Sequence, residues 1–229
     1  MNKSKLTMIR KQNGMSLLEI IIVLGIIGTI AAGVVVLAQR ALDNKSIADL
    51  NSNINATRLA LTATFRTSGY PVSTDIAASL IPSALEDPAS LTGNAGLDPA
   101  AQLFRVGAIS SSELTNPITG NIFHISSLGN TGTTEETVAG ANGKVFTIAV
   151  SGLSSKQCSQ VAMTQSAQWD FVEVILADTI DAIPTVEMTS LKSVQALRTL
   201  DPTGRLIPSL VEIATACSAS LNTVVFASR

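Results

Sequence analysis

The sequence GMSLLEIIIVLGIIGTIAAGVVVL, from Gly14 to Leu37, joins a basic N-terminal stretch to a long apolar run. Glu19 is the only charged residue between Met15 and Leu37. As a helix, this run extends about 34 Å, enough to cross a bilayer core of roughly 30 Å. It is longer than the apolar stretch of an ordinary signal peptide, which has about 7–15 residues. The run therefore predicts a membrane-spanning helix over residues 15–37.

The residues before this run carry only positive charge. Lys3, Lys5, Arg10 and Lys11 precede Glu19 with no acidic residue among them. Positive charge holds such a segment on the cytoplasmic side of the membrane while the following chain is translocated. This start fits a secretory signal cut after Val36-Leu37-Ala38, a plain uncut anchor, or a short leader removed at the membrane.

Glu19 separates these alternatives. A carboxylate inside an apolar span costs a few kcal/mol near the bilayer centre, roughly 2.5–3.5 on insertion scales, and is retained when it has a partner. A cut after Gly14 would make Met15 a new N-terminus. Its amine would lie about one helical turn from Glu19 and within reach of Glu19 in a neighbouring copy. The spacing favours a removed leader.

The segment Gly14–Gly28 resembles the signature of type IV prepilins. The resemblance implies a peptidase that cuts after Gly14 and methylates Met15, so that residues 1–14 form the cleaved cytoplasmic leader. Met15 and the following Leu17-Leu18 are similar to the type IVb branch. The run onward to Ala41 resembles that of the toxin-coregulated and longus pilins.

Helical periodicity continues beyond the apolar run. Five apolar residues recur at spacings of 3, 4, 7 and 4, which is one stripe of a helix: Ile47, Leu50, Ile54, Leu61 and Phe65. We predict one helix over residues 16–66, apolar all round in its first half and amphipathic in its second. Gly69-Tyr70-Pro71 would end it. The amphipathic half must pack on a globular domain, which we place at residues 38–229.

Downstream patterns group strands with helices and predict an α+β fold with an antiparallel sheet. Predicted strands are Ile122–Ile125, Lys144–Val150, Phe171–Ala177 and Thr223–Ala227. Predicted helices are Ile76–Leu85, Ala100–Ile109, Ser154–Gln165, Met188–Leu200 and Leu206–Ser218. Predicted turns are Asn116-Pro117 and Ser151-Gly152.

The chain contains two cysteines, Cys158 and Cys217. An even count in an exported chain suggests one disulfide, although two buried free thiols are an alternative. A bridge would close a loop of about 60 residues and stabilise the fold by roughly 4 kcal/mol in the chain-entropy model. The resemblance implies the type IV pilin fold, with the sheet packed on the long helix. It also implies that the disulfide bounds residues 158–217 as an outward-facing D-region.

The sequence gives little support for nucleic-acid binding, catalysis, or metal or phosphate binding. The net charge of −2, without a basic stripe beyond the N-terminus, argues against a nucleic-acid partner. His124 is the only histidine, so a catalytic triad or a zinc site is improbable. Residues 140–144 (GANGK) match a phosphate loop only faintly. We expect a solvated loop at Glu135-Glu136, packing by Trp169, and neither enzyme activity nor a cofactor.

The expected function is the major structural subunit of a type IVb pilus. The resemblance implies a homopolymer that serves adhesion, bacterial aggregation and colonisation. It implies as partners a prepilin peptidase, assembly proteins, minor pilins, and a host-cell surface or a secreted adhesin. The chain would reside in the inner membrane and then in an extracellular fibre. The alternatives are a minor pilin, a type II secretion pseudopilin, or a secreted adhesion module with an ordinary signal peptide.

Overall fold

The computed structural model describes residues 16–72, 87, 98–128, 142–176, 188 and 192–229. The chain forms two compact units, the first ending at Asn44 and the second beginning at Lys45. In the first unit, residues 17–44 are helical and exposed throughout. The second unit contains the sheet and the core.

The long helix α1 runs from Leu17 to Phe65, so the predicted helix is confirmed to within one residue at each end. Ser16 Oγ accepts the N–H of Leu18 at 3.3 Å where the helix begins. Gly69 adopts φ 85° and donates its N–H to Phe65 O at 2.8 Å. This left-handed residue, which glycine adopts without steric cost, ends the helix.

A five-stranded antiparallel sheet forms the centre of the second unit. Its strands are β2 (His124–Leu128), β4 (Val145–Leu153), β5 (Phe171–Leu176), β6 (Ala196–Arg198) and β7 (Asn222–Ser228). Their order across the sheet is β2-β4-β7-β5-β6. Two short strands, β1 (Tyr70–Pro71) and β3 (Asn142–Gly143), pair separately. The last strand along the chain, β7, thus lies between β4 and β5.

Both faces of the sheet are buried at its centre, where β4 is buried at all but two of its residues and β7 is buried throughout. Phe146, Ile148 and Phe226 belong to the same core cluster as the apolar stripe of α1. Ala149 and Val225, which alternate with them, belong to a second cluster on the opposite face. The α+β class and the antiparallel sheet are confirmed.

Three short α-helices of the described residues pack around the sheet: α2 (Pro99–Arg105), α3 (Ser155–Gln165) and α4 (Leu210–Ala216). Asp98 caps α2, and Ser154 and Ser209 begin α3 and α4 through capping boxes. The predicted helix at Ser154–Gln165 is therefore confirmed. The helix predicted at Ala100–Ile109 is present but ends at Arg105.

The helix predicted over Met188–Leu200 is wrong in the part that the structure describes. Residues 196–198 instead form β6, which pairs with the edge of β5. Val194 is 59% exposed whereas Leu197 is fully buried, although a helical stripe would place both on one face. Pairing with a strand distant in the chain overrides the local periodicity.

The turn predicted at Ser151-Gly152 is also wrong, because β4 continues through both residues to Leu153. Gly152 has φ 78°, and the register with β7 shifts between Val150 and Leu153. Gly152 therefore marks a β-bulge within β4 rather than a turn at its end.

The boundaries of several other predicted elements shift. The strand predicted at Ile122–Ile125 begins at His124 and continues to Leu128. Ile122 forms an isolated bridge with Thr115 instead. The turn at Asn116-Pro117 is confirmed by the Gly120 N–H donating to Asn116 O at 2.8 Å. The strands at Phe171–Ala177 and Thr223–Ala227 are confirmed as β5 and β7, with Ala177 outside the described residues. The helix predicted at Ile76–Leu85 also lies outside them.

Candidate assembly and surface sites

Glu19 lies in the first turn of α1 and is the only charged side chain of this helix before Arg40. Its N–H donates to Ser16 O at 3.0 Å. A negative charge in this turn is favoured by the helix dipole by about 0.3–1 kcal/mol. That gain is smaller than the few kcal/mol that placing the carboxylate among apolar helices would cost, so a cationic partner would favour such a location.

The surface around Glu19 is apolar on all sides. Among the described residues, α1 is the one helix long and apolar enough to cross a membrane. Leu17, Ile21 and Leu24 are each more than 60% exposed in the single chain. A side-chain carbon added at Gly25, Gly28 or Gly33 would meet no atom within 4 Å. An apolar surface of this size is the kind that lipid or a neighbouring helix covers.

The predicted cleavage residues Gly14 and Met15 lie outside the described residues. The pairing of the Met15 amine with Glu19 therefore stays a prediction.

The second half of α1 is anchored in the core. All five residues of the predicted stripe are buried, namely Ile47, Leu50, Ile54, Leu61 and Phe65. Polar contacts flank the stripe, because the side-chain amide of Asn53 donates to Ser112 O and Thr115 O, both at 2.9 Å. The helix thereby holds the segment that precedes β2.

A buried polar chain links α1 to α3. The Gln165 side-chain amide donates to Asn51 Oδ1 at 3.0 Å, and its Oε1 accepts the indole N–H of Trp169 at 3.3 Å. The guanidinium of Arg58 lies 4.8 Å from the centroid of the Trp169 ring, a cation–π contact. Trp169 is only 1% exposed, which confirms its expected packing role. Periodicity alone gives no signal for these contacts.

Cys158 and Cys217 form the predicted disulfide, with their Cα atoms 5.7 Å apart. Both residues are fully buried, and because their sulfurs are bonded to each other, the alternative of two buried free thiols is wrong. The bridge joins α3 to the residue that follows α4, and it closes a loop over 59 positions.

The start of α4 is also held by an ion pair. Lys192 Nζ lies 2.9 Å from Glu212 Oε1, and Glu212 Oε2 accepts the N–H of Ser209 at 2.7 Å. The Ser209 N–H and then the Lys192 ammonium lower the pKa of Glu212 to about 2. The N-terminus of α4 is thus fixed from two sides.

His124 is structural in character. Burial lowers the pKa of this histidine to about 4, and its Nε2 is buried without a hydrogen-bond partner in the described part of the chain. Within residues 16–72, 98–128, 142–176 and 192–229, no cluster of three metal-ligating side chains occurs. Glu135-Glu136 and the start of the 140–144 loop lie outside the described residues.

Sequence reasoning missed an exposed apolar segment before and within the first turn of α4. Leu206, Ile207, Leu210 and Val211 are 68–76% exposed, although all four belong to the helix predicted over Leu206–Ser218. The pattern Ser209-x-x-Glu212 was the available signal, because a capping box begins the helix at Leu210. Buried Pro208 precedes it.

Comparison with known proteins gives three matches of different kinds. The family model described as "Prokaryotic N-terminal methylation motif" matches residues 9–35, which include Gly14, Met15 and Glu19. Toxin coregulated pilin of Vibrio cholerae serotype O1 (strain ATCC 39315 / El Tor Inaba N16961) is 34% identical over 163 residues, which cover 71% of this chain and 62% of that protein. Toxin coregulated pilin of Vibrio cholerae is 35% identical over 164 residues, with the same coverage.

The crystal structure of TcpA, a type IV pilin from Vibrio cholerae El Tor biotype, superposes with a TM-score of 0.57 at 20% identity. The match covers 81% of this chain and 99% of that chain. It shows a shared fold: a long N-terminal helix and an antiparallel sheet. The matched part of this chain spans 62% of the length of the curated relatives.

Proposed function

We propose that this chain, a type IV pilin homologous to toxin coregulated pilin, is the major structural subunit of a type IVb pilus. Its relatives are structural pilin subunits rather than enzymes, in agreement with the expectation from the sequence. The chain is anchored in the inner membrane by its apolar helix and then becomes part of an extracellular pilus.

The fully exposed apolar surface of residues 17–37 is the observation that carries the proposal. In the membrane, lipid covers it. In a fibre, the same surface packs against identical helices, and the Glu19 carboxylate accepts the charge of a Met15 amine. The energy that extracts the helix comes from assembly proteins, since we assign no nucleotide site to this chain.

The proposed domain organisation follows the sequence. Residues 1–14 are the removed leader, residues 15–37 the membrane and fibre-core segment, and residues 38–229 the globular domain. Residues 158–217 form the D-region on the fibre surface. The disulfide between Cys158 and Cys217 supports the two limits of this region.

The proposed partners are identical copies, a prepilin peptidase, assembly proteins and minor pilins. Adhesion, aggregation and colonisation would act through the D-region, toward a host-cell surface or a secreted adhesin. Nucleic acid is not among the proposed partners.

The mature N-terminus tests the proposal. Mass spectrometry of the chain isolated from sheared surface fibres should identify N-methylated Met15 as the first residue. A start at Gln39 would support a secreted adhesion module with an ordinary signal peptide, and an uncut Met1 would support a plain anchor. Methylated Met15 in the membrane, with only trace amounts in fibres built from another subunit, would favour a minor pilin or a pseudopilin.

A further inference from the structure

Two charged residues bound an uncharged part of α1. Glu19 and Arg40 are separated by residues 20–39, none of which is charged. This whole stretch is helical and exposed in the single chain. Its one hydroxyl group, on Thr29, donates to Ile26 O at 2.8 Å and so is already bonded within the helix. The two charges therefore mark the ends of an uninterrupted apolar surface.

The distance between these charges matches the thickness of a membrane core. Positions 19 and 40 lie about 31 Å apart along an α-helix. A bilayer core is roughly 30 Å thick, and a tilt of about 20° shortens the projected length of the helix by only about 2 Å. A helix that crosses the core through residues 20–39 thus places the Glu19 carboxylate at the cytoplasmic headgroups. It places the Arg40 guanidinium at the headgroups of the opposite leaflet.

Other depths would expose a charge to hydrocarbon. If residues 15–37 filled the core, the backbone of Glu19 would lie about 6 Å inside it. A shift in the opposite direction would draw Arg40 into the core. Charged side chains inside the core are strongly disfavoured, whereas arginine at its boundary extends into the headgroup layer. The two charges together favour one depth for the helix.

The Arg40 side chain is available to a group outside the chain. Its nearest acid along the helix, Asp43, lies three positions further on and forms no ion pair with it in the described part of the chain. Lys45, the next cation of α1, is instead paired with Asp49 at 2.6 Å. The planar donors of a guanidinium match two oxygens of a phosphate group. Arg40 therefore has both the position and the chemistry to bind a lipid phosphate.

We propose that Arg40 binds the phosphate groups of anionic phospholipids in the outer leaflet of the inner membrane and thereby sets the depth of the inserted chain. The proposal rests on the membrane anchoring within the proposed function, and not on assembly into fibres. The ligand is a phospholipid rather than free phosphate, because the helix holds the guanidinium where lipid headgroups are concentrated. This depth keeps the Glu19 carboxylate hydrated at the cytoplasmic face until the helix leaves the membrane.

Quenching by brominated lipids tests this contact in the full chain. Leu37→Trp places a reporter three positions before Arg40, and the signal of Trp169 is subtracted by means of the chain without the reporter. The chain is reconstituted in vesicles of phosphatidylglycerol and phosphatidylcholine, with each lipid brominated in turn. The two quenching curves give the relative affinity for the anionic lipid at this end of the helix. We expect an about fivefold preference for phosphatidylglycerol, which Arg40→Gln should abolish.

Lys45→Gln is the matched control, because it removes a cation of the same helix that is already paired with Asp49. This variant should retain the preference for phosphatidylglycerol. An unchanged preference in Arg40→Gln would overturn the proposal, as would an equal loss of preference in Lys45→Gln.

The depth of the same reporter gives a second measurement. Lipids brominated at different acyl carbons locate the indole of Leu37→Trp relative to the bilayer centre. In Arg40→Gln the uncharged stretch extends to Leu42, so the helix can slide by up to about 4.5 Å and the reporter should move toward the centre. An unchanged depth would contradict the positioning role of Arg40.

Failure of this proposal can be told apart from failure of the proposed function, because neither measurement uses fibres. Methylated Met15 in sheared fibres, together with no lipid preference at position 40, would contradict the lipid contact alone. A lipid preference in a chain that never enters fibres would contradict the fibre function alone.

Discussion

The side-chain amide of Gln165 donates a hydrogen bond to Asn51 Oδ1 at 3.0 Å, across 114 positions of sequence. Gln165 also accepts from Trp169 and is fully buried. Replacement by leucine would leave the indole N–H and the Asn51 side chain without this partner. We expect Gln165→Leu to lower the free energy of unfolding by about 1–3 kcal/mol.

Urea unfolding of the purified full chain in detergent, monitored by Trp169 fluorescence, measures this change. Gln168→Leu is the control, because Gln168 is exposed and its replacement should change stability by less than about 0.5 kcal/mol. Equal unfolding midpoints for the two variants would show that the buried chain of hydrogen bonds adds nothing to stability.

Glu19→Ala should separate membrane insertion from assembly. Removal of the charge makes the helix more apolar, so insertion and leader removal should continue. Assembly should fall sharply, since the Met15 amine would lose its partner in the fibre core. Immunoblots of membranes and of sheared fibres measure the two steps. Asp43→Ala, which removes an exposed acid of the same helix, should assemble normally. Normal piliation by Glu19→Ala would contradict the pairing.

Cys217→Ser should lower the abundance of the chain. The chain-entropy model assigns the lost cross-link roughly 4 kcal/mol, a large part of the stability of an ordinary domain. The variant also leaves Cys158 as a buried free thiol. Subunit levels by immunoblot, with Ser218→Ala as the neighbouring exposed control, measure the effect. Unchanged levels and fibres in Cys217→Ser would show that the disulfide is not needed for stability.

His124 should make stability depend on pH in the mildly acidic range. Burial lowers its pKa in the folded chain to about 4, below the ordinary value of 6.5. Above pH 6.5 the histidine is neutral in both states. As the pH falls toward 4, the unfolded chain takes up a proton that the folded chain does not. The free energy of unfolding should therefore fall by up to about 3 kcal/mol.

The comparison of wild type with His124→Gln isolates this contribution, because Glu173, whose pKa is raised by burial, is present in both. The stability difference between the two chains should change between pH 7 and pH 4.5 in urea titrations. A difference that stays constant over this range would mean that His124 titrates normally.

Helix α1 could be predicted because its stripe follows helical spacing over many turns, and all five stripe residues are buried. The segment containing β6 could not, because its apolar spacing is also helical but its partner, β5, lies about 20 residues earlier. Local periodicity contains no information about pairing with a distant strand edge.

The candidate sites likewise divide into those with a local sequence signal and those that depend on contacts between distant residues. Gly14, Met15 and Glu19 lie within one short motif, which is the local signal for their proposed roles, and the disulfide followed from the cysteine count. The contact of Arg58 with Trp169 depends on packing across 111 positions and has no local signal. The exposure of Leu206, Ile207, Leu210 and Val211 depends on where α4 begins, and the prediction placed that start four residues too early.

Because β7 is the last strand along the chain and lies in the middle of the sheet, the sheet can be completed only after β7 has been translocated. Translocation delivers β4, β5 and β6 to the far side of the membrane before β7, which among the described strands is the one that joins β4 to β5. Until residues 222–228 emerge, we expect the β2–β4 pair and the β5–β6 pair to lack the strand that connects them. A chain stopped short of Asn222 would be a substrate for proteolysis rather than a smaller subunit. Incomplete chains would thus be removed after export, because only a chain translocated through β7 can form the complete sheet.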